Sequence, residues 1–587
     1  MLKLLKKLNK RDYLFIFISF LLIFAQVWLE LKMPDYMSEI TVLVKTEGAK
    51  IGEILKNGGY MLLCAFGSLV AAVITGYIIS KLSSIFSKNV RKSIFTKVEN
   101  LAMQEVKQFS TSSLITRTTN DITNIQMFMA MGLQLLIKAP ITAIWAVSKI
   151  LNKSWQWSAI TAVAVVVLLS VIAMLIVIVL PRFKIVQKLI DKLNGVTREN
   201  LNGIRVVRAF NAEKYQEEKF KKANDNLTNL QLFNQKKFAI MQPTMYLVLY
   251  FLTLAIYFVG AYIIKDAMMA DKLSLFGDMV VFSSYAIQVI MSFLLLAFVF
   301  MMLPRAQVSA KRINEVLDTD ITIKEGEVTN IENGEKGTVE FKHVYFKYPD
   351  ADEYLLEDIS FKANKGETVA FIGSTGSGKS TLINLVPRFY DATKGEVLID
   401  GVNVKEYKEE FLHSKIGYVP QKAVMFNGTV YSNVAYGKKP NGSYSLEKVK
   451  EAIKVAQAKE FVEKMDEGYN SHMAQGGTNV SGGQKQRLAI ARAIAKDPEI
   501  YIFDDSFSAL DYKTDAVLRK ELKSYTKDAT SLIVAQRIGT IMNADKIIVL
   551  ENGKCVGIGN HKDLLKSCEV YKQIALSQLS KEELENA

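Results

Sequence analysis

Cysteine is almost missing from this 587-residue chain. The three present, Cys64, Cys555 and Cys568, have no metal-ligand spacing, which excludes a disulfide framework and a zinc site as organising features. Histidine is nearly as scarce, with four in all (His343, His413, His472 and His561). No internal repeat and no low-complexity segment interrupts the chain. Basic residues between positions 3 and 11 precede a long apolar run, but no small-residue cleavage site follows, so this run reads as a retained membrane helix rather than a signal peptide. Residues 159–180 contain no charge at all, which argues against a wholly soluble protein.

What is present in abundance is apolar sequence and positive charge. Hydrophobic residues make up 50% of the chain and the formal net charge is +14. At this length more than one domain is expected. Six apolar stretches, 13–29, 60–79, 125–147, 159–180, 245–264 and 279–303, approach the ~20 residues a helix needs to cross hydrocarbon. Basic residues crowd the N-terminus and the segments after the second and fourth spans, whereas the 151–156 and 265–278 connections carry few. The positive-inside rule then puts both termini in the cytoplasm and accounts for the basicity without nucleic acid. The cytoplasmic connections 80–124 and 181–244 mix charged and apolar residues in helical rather than loop-like patterns. Lys138, inside the third span, is expected to snorkel toward the interface.

Beyond residue 305 the composition changes. Residues 1–320 read as the membrane domain, 321–338 as a polar linker, and 339–587 as an α/β domain in which short β-branched runs alternate with helical patterns. Gly373-Ser374-Thr375-Gly376-Ser377-Gly378-Lys379-Ser380-Thr381 fits G-x-x-x-x-G-K-[ST] and lies between a strand-like run and a helix-like one. In such a loop backbone N–H groups surround phosphate oxygens, Lys379 reaches the β- and γ-phosphates, and Ser380 ligates Mg²⁺. Downstream, four apolar residues end in Asp504, the pattern of a buried strand delivering a carboxylate to the Mg²⁺ side of the same site. ATP and Mg²⁺ are the expected cofactors.

Between these landmarks stands Ser481-Gly482-Gly483-Gln484, similar to the signature sequence of ATP-binding-cassette proteins. With it the whole chain resembles a half-transporter of the multidrug-exporter type of ABC transporter. The resemblance implies an all-α six-helix transmembrane domain followed by an α/β P-loop cassette on the cytoplasmic face of the cell membrane. It also implies a role for Tyr348 as the adenine-stacking aromatic, for Gln421 as the glutamine that touches Mg²⁺, and for Asp511 in the loop crossing between two cassettes. Residues 202–210 resemble the second cytoplasmic loop, leading to a coupling helix near 211–215, and residues 109–114 resemble the first coupling region. In this family two cassettes sandwich ATP, so Ser481, Gly482, Gly483 and Gln484 are expected to complete the partner's site.

Two positions depart from the family pattern. Asp505 stands where a glutamate normally polarises the attacking water, and Gln536 where a histidine normally contacts the γ-phosphate. Aspartate is one methylene shorter, and a displacement of about 1 Å costs on the order of a hundredfold in rate. Glutamine cannot become cationic as charge develops on phosphate. The resemblance therefore extends to the degenerate-site subunit of bacterial heterodimeric exporters, with a second half-transporter chain supplying the catalytic groups. The rival is a homodimer with slow ATP turnover. Small hydrophobic or amphipathic molecules are the expected cargo, with lipid or peptide as the alternative, and no nucleic acid is expected as a partner.

Overall fold

The computed structural model describes residues 2–6, 8–46, 50–151, 155–269, 271–331, 336–437 and 444–579, with the backbone alone at 2, 176, 180, 183, 184, 187 and 301. Parts of the expected 151–156 connection, of the 321–338 linker and of the N-terminal basic cluster (Lys7) therefore lie outside the described residues. The chain forms two compact units. One comprises Met1–Glu99 with Ser110–Thr319, the other Asn100–Phe109 with Asp320–Ala587.

The first unit is helical. Its long helices are α1 (Lys10–Lys45), α2 (Ile51–Glu99), α3 (Thr111–Leu151), α4 (Trp155–Asn202), α5 (Glu213–Asp266) and α6 (Lys272–Leu317). Each contains a window long and apolar enough to cross a membrane, six in all among the described residues. The helices exceed the expected spans because their polar flanks keep helical hydrogen bonding beyond the apolar core, as the charged 182–194 and 213–232 patterns foretell. Pro34, Pro140, Pro181, Pro243 and Pro304 all lie inside helices, at the cost of one backbone bond each. Helix α3 is composite: Thr111–Thr118 starts on the Ser110 hydroxyl, which accepts from Ser113 N, and a π-helical turn at Phe128–Gly132 leads into Leu133–Leu151. Between α4 and α5 the short helix is Ile204–Ala209, and Asn211 (φ 49°) turns the chain. Residues 213–215 already belong to α5, so the separate helix lies earlier than the expected 211–215.

Lys138 does not snorkel. Its Nζ donates to Glu30 Oε1 at 2.9 Å, and the same oxygen accepts from Gln26 Nε2 at 2.8 Å and Ser68 Oγ at 3.2 Å. One turn further along α1, Asp35 accepts from Lys149 at 2.9 Å and from the buried Tyr285 hydroxyl at 2.6 Å. A nearby carboxylate on a packed neighbour outcompetes the interface, because in a low-dielectric span an ammonium gains more from a fixed opposite charge than from stretching. These pairs join α1 to α3 and α6. Lys138→Met alone, which strands Glu30, should lower the detergent-solubilised melting temperature by several degrees. The Glu30→Gln/Lys138→Met double variant should recover most of that loss, as read by thermal scans at one fixed heating rate.

The second unit contains strands β1 (Val339–Phe346), β2 (Leu356–Ala363), β3 (Thr368–Gly373), β4 (Lys394–Ile399), β5 (Val402–Asn403) and β6 (Ile416–Val419). Further along are β7 (Ile500–Asp504), β8 (Thr530–Val534), β9 (Lys546–Glu551) and β10 (Lys554–Gly559). A four-stranded sheet has the order β2-β1-β4-β5, and a six-stranded sheet the order β10-β9-β3-β8-β7-β6. In the larger sheet β9, β3, β8, β7 and β6 run parallel. Strands β7 and β8 are buried along their whole length, as covered parallel strands must be. One core lies between the sheets, where Phe341 stacks on Phe361 at 4.6 Å and Phe361 meets Phe371 edge-on at 5.4 Å. The other packs Leu488, Ile490 and Ile494 of the helix Gly482–Lys496 against Val419, Phe503 and Ile533.

Candidate ATP-binding and hydrolysis site

Register brings the polar residues of the second unit together. Val534 pairs with both Phe371 and Asp504, and Val419 pairs with Phe503, so β3, β8, β7 and β6 end at nearly one level. At those ends or within two residues of them stand Gly373, Gln536, Asp505 and Gln421. This is the edge where open parallel sheets take ligands.

The loop after β3 is shaped by close approach. A Cβ on Gly373 would lie 2.1 Å from Leu550 O, and Gly378 has φ 93° with Leu356 Cδ2 2.6 Å from where a Cβ would be. Ser374, Thr375 and Gly376 are exposed, while Ser377, Gly378 and Lys379 are buried. Lys379 opens a helix, Lys379–Ile383, and its ammonium turns back into the loop to donate to Gly373 O at 2.8 Å and Ser374 O at 2.7 Å. Burial pulls its pKa below the ordinary lysine value, against the opposing pull of Asp505 and Asp504. A lysine ammonium held within a loop whose Ser374–Gly376 stretch is exposed suits a polyphosphate.

Ser380 Oγ donates to Asp504 Oδ1 at 2.8 Å. Hydroxyl and carboxylate oxygens side by side are the hard donors Mg²⁺ takes when phosphate and water complete its shell, so the residues fit that ion. Bound there, Mg²⁺ would neutralise phosphate charge; Ser380 and Asp504 would hold it. Burial raises the pKa of Asp504, and the Ser380 hydrogen bond opposes that rise. Tyr348, at the rim, shares a hydrogen bond with Thr381 Oγ1 at 3.0 Å, which ties the expected adenine platform to the phosphate loop.

Asp505 and Gln536, the two departures, meet each other. Gln536 Nε2 donates to Asp505 Oδ2 at 2.8 Å, and Gln421 Nε2 approaches the same oxygen at 3.4 Å. Asp505 has a left-handed backbone (φ 46°), and its N–H donates to Val534 O at 3.0 Å. Burial raises its pKa, while Gln421 and Gln536 favour the ionised form. A carboxylate engaged by two amides is oriented by its neighbours rather than left open to a water. No sequence signal marks this pairing, because 31 residues separate the two.

The signature residues stand apart. Ser481 caps the helix Gly482–Lys496: its hydroxyl accepts from Gln484 N at 3.3 Å and its N–H donates to Gln484 Oε1 at 2.8 Å. Gly483 leaves room for Ala509 O, which would lie 3.1 Å from a Cβ. Asp511 caps Tyr512–Tyr525 by accepting from Thr514 N at 2.9 Å, and that backbone bond holds its pKa below the usual range. Among the described residues no hydrogen bond joins Ser481–Gln484 or Asp511 to Lys379 or Asp504.

Two adjacent buried carboxylates with raised pKa values cost stability once ionised. A raised folded pKa gives its full contribution below the unfolded value of 3.8 and loses it as pH climbs through the folded value. Asp504→Asn should therefore raise the melting temperature without nucleotide by ~2–4 °C at pH 8, on the order of 1 kcal/mol. The gain should shrink at pH 4.5, and Mg²⁺-dependent ATP binding should fall at least tenfold. Thermal scans and nucleotide titrations at both pH values check this.

Residues 356–508 match the family described as ABC transporter, and residues 16–293 that described as ABC transporter transmembrane region. An uncharacterized ABC transporter ATP-binding protein of Mycobacterium bovis is 38% identical over 554 residues, covering 92% of this chain and 93% of its own. An ATP-dependent lipid A-core flippase of Pseudomonas aeruginosa is 31% identical over 518 residues, covering 88% of this chain and 83% of its own. The solved structure of a bacterial Atm1-family ABC exporter with ATP bound shares the fold, with a TM-score of 0.82 over 97% of this chain and 99% of that one at 22% identity. Six apolar helices ahead of an α/β cassette with this phosphate loop thus have one assignment: the chain belongs to the ABC transporter family, as an ATPase-coupled membrane transporter carrying transmembrane region and ATP-binding domain on one polypeptide.

Proposed function

We propose that this chain is one half of a heterodimeric exporter of small hydrophobic or amphipathic molecules, and that its own ATP site binds nucleotide with weak hydrolysis. The observation that carries the reading is the 2.8 Å hydrogen bond between Gln536 and Asp505, beside an intact set of Lys379, Ser380 and Asp504. Binding groups are complete, whereas the groups expected to orient water and follow the γ-phosphate are a short carboxylate and an amide bound to each other. Ser481–Gln484 keep a well-formed cap, which supports a role in a second site built on the partner's phosphate loop. In this reading Tyr348 stacks adenine, Ser380, Gln421 and Asp504 hold Mg²⁺, and Asp511 belongs to the crossing between cassettes. Residues 1–320 form the membrane domain, 321–338 the linker and 339–587 the nucleotide-binding domain. Both termini lie in the cytoplasm, on the side where basic residues concentrate.

A lipid cargo is the second reading, favoured by the 31% identity to the lipid A-core flippase. A homodimer would have to run both sites on Asp505 and Gln536.

Purified in mild detergent from its own host, the tagged chain should bring down one different chain of similar size. Replacing that chain's catalytic glutamate should stop transport. A complex made only of this chain would contradict the heterodimer. Within this chain, Asp505→Glu with Gln536→His should raise hydrolysis at its site at least tenfold, on the scale of about a hundredfold for a 1 Å displacement. Either single change should do less, because it leaves an unmatched partner; phosphate release with the partner's site disabled measures both.

A further inference from the structure

The segment Asn100–Phe109 lies between α2 and α3 in sequence, yet it belongs to the compact unit that binds ATP. Its anchor is Glu105, a carboxylate only 1% exposed. One oxygen accepts from Ala102 N at 2.7 Å; the other accepts from Gln104 Nε2 at 3.0 Å and from the Thr322 hydroxyl. Gln104 also reaches Thr322. The short helix Met103–Gln108 is thereby fixed to the start of the ATP-binding unit.

Two residues on, Lys107 Nζ lies 4.7 Å from the Tyr348 ring centroid and 5.2 Å from that of Tyr390. The two rings meet edge-to-face at 5.5 Å, and Phe346 meets Tyr348 in the same way at 5.0 Å. An ammonium against two phenol rings is a cation–π arrangement, and it acts on the aromatic tied through Thr381 to the phosphate loop. Tyr390 also raises the pKa of Lys107 by hydrogen bonding, so the charge persists at neutral pH.

We propose that Lys107 is a positioning residue of the ATP site, acting through Tyr348 so that adenine stacking and the docking of segment 100–109 stabilise each other. The proposal rests on the reading of Tyr348 as the adenine platform. A cation beside the ring draws its π density and makes it a better partner for an electron-rich purine. Coupling of this kind is reciprocal: whatever the docked segment adds to nucleotide affinity, bound nucleotide adds to docking. The segment leads directly into α3 of the transmembrane region, so the chain itself carries a covalent route from adenine recognition to a membrane helix.

The test uses the full transporter complex, with photolabelling of this chain by 8-azido-ATP at probe concentrations well below half-saturation. ATP and inorganic tripolyphosphate, which has no base, serve as competitors. Lys107→Met should raise the ATP concentration for half-competition by about three- to tenfold and leave that for tripolyphosphate unchanged, which also certifies the fold. Lys107→Arg should restore the original value, and on a Tyr348→Leu background Lys107→Met should have no effect. Equal losses for both competitors would mean simple attraction to phosphate and would overturn the proposal, as would no loss for ATP. If Tyr348→Leu alone leaves ATP competition unchanged, the adenine platform itself is misassigned and the proposal falls with it.

Discussion

Everything in the ATP-binding unit depends on parallel strands that end at one level. Because Val534 is in register with both Phe371 and Asp504, the chain leaves β3, β7 and β8 side by side, and the next residues of each share a single edge. The strands are buried on both faces, so a slip of one residue would reverse every side chain between two packed cores. That penalty fixes the spacing of Lys379, Asp504 and Asp505 far more tightly than the hydrogen bonds among them do. The site is rigid because its supports cannot move independently.

On that edge the balance of charge decides what the chemistry can be. Lys379, Asp504 and Asp505 are buried together, where an isolated ion would be costly: burial lowers the pKa of Lys379 against the pull of the two carboxylates, and raises those of Asp504 and Asp505 against the pull of Lys379. Polyphosphate and a divalent cation would complete this arrangement. At Asp505, however, the amides of Gln536 and Gln421 already satisfy one carboxylate oxygen. A glutamate would extend beyond that position toward substrate, and a histidine could carry charge. The pair present does neither, and its two members fit each other. The membrane unit follows the same logic, with Lys138 and Lys149 neutralised by Glu30 and Asp35 rather than left to find water.

Much of this could be read from the sequence, for a physical reason. Uncharged runs near 20 residues, a glycine-rich loop between strand and helix, and four apolar residues ending in Asp504 are local patterns, and local patterns survive without coordinates. The helix ends were less legible, since the six helices continue far beyond their apolar cores. What the sequence could not reveal was long-range pairing. Lys138 reads as a snorkelling lysine until Glu30 is placed beside it, 108 residues away. Gln536 and Asp505 read as two separate losses until their contact joins them. Lys107 carries no local signal at all, because its meaning comes from Tyr348, 241 positions later in the chain (348 minus 107).

The central proposal is that this chain's site binds ATP and hydrolyses it only weakly. The most direct measurement is the identity of the nucleotide retained at this chain after the complex has turned over. The complex would be run on doubly labelled ATP, trapped rapidly and photocrosslinked, and the chains separated. The account predicts intact triphosphate on this chain while diphosphate accumulates on its partner. Diphosphate on this chain at the partner's rate would contradict it, and Asp505 would then have to be accepted as a working catalytic residue.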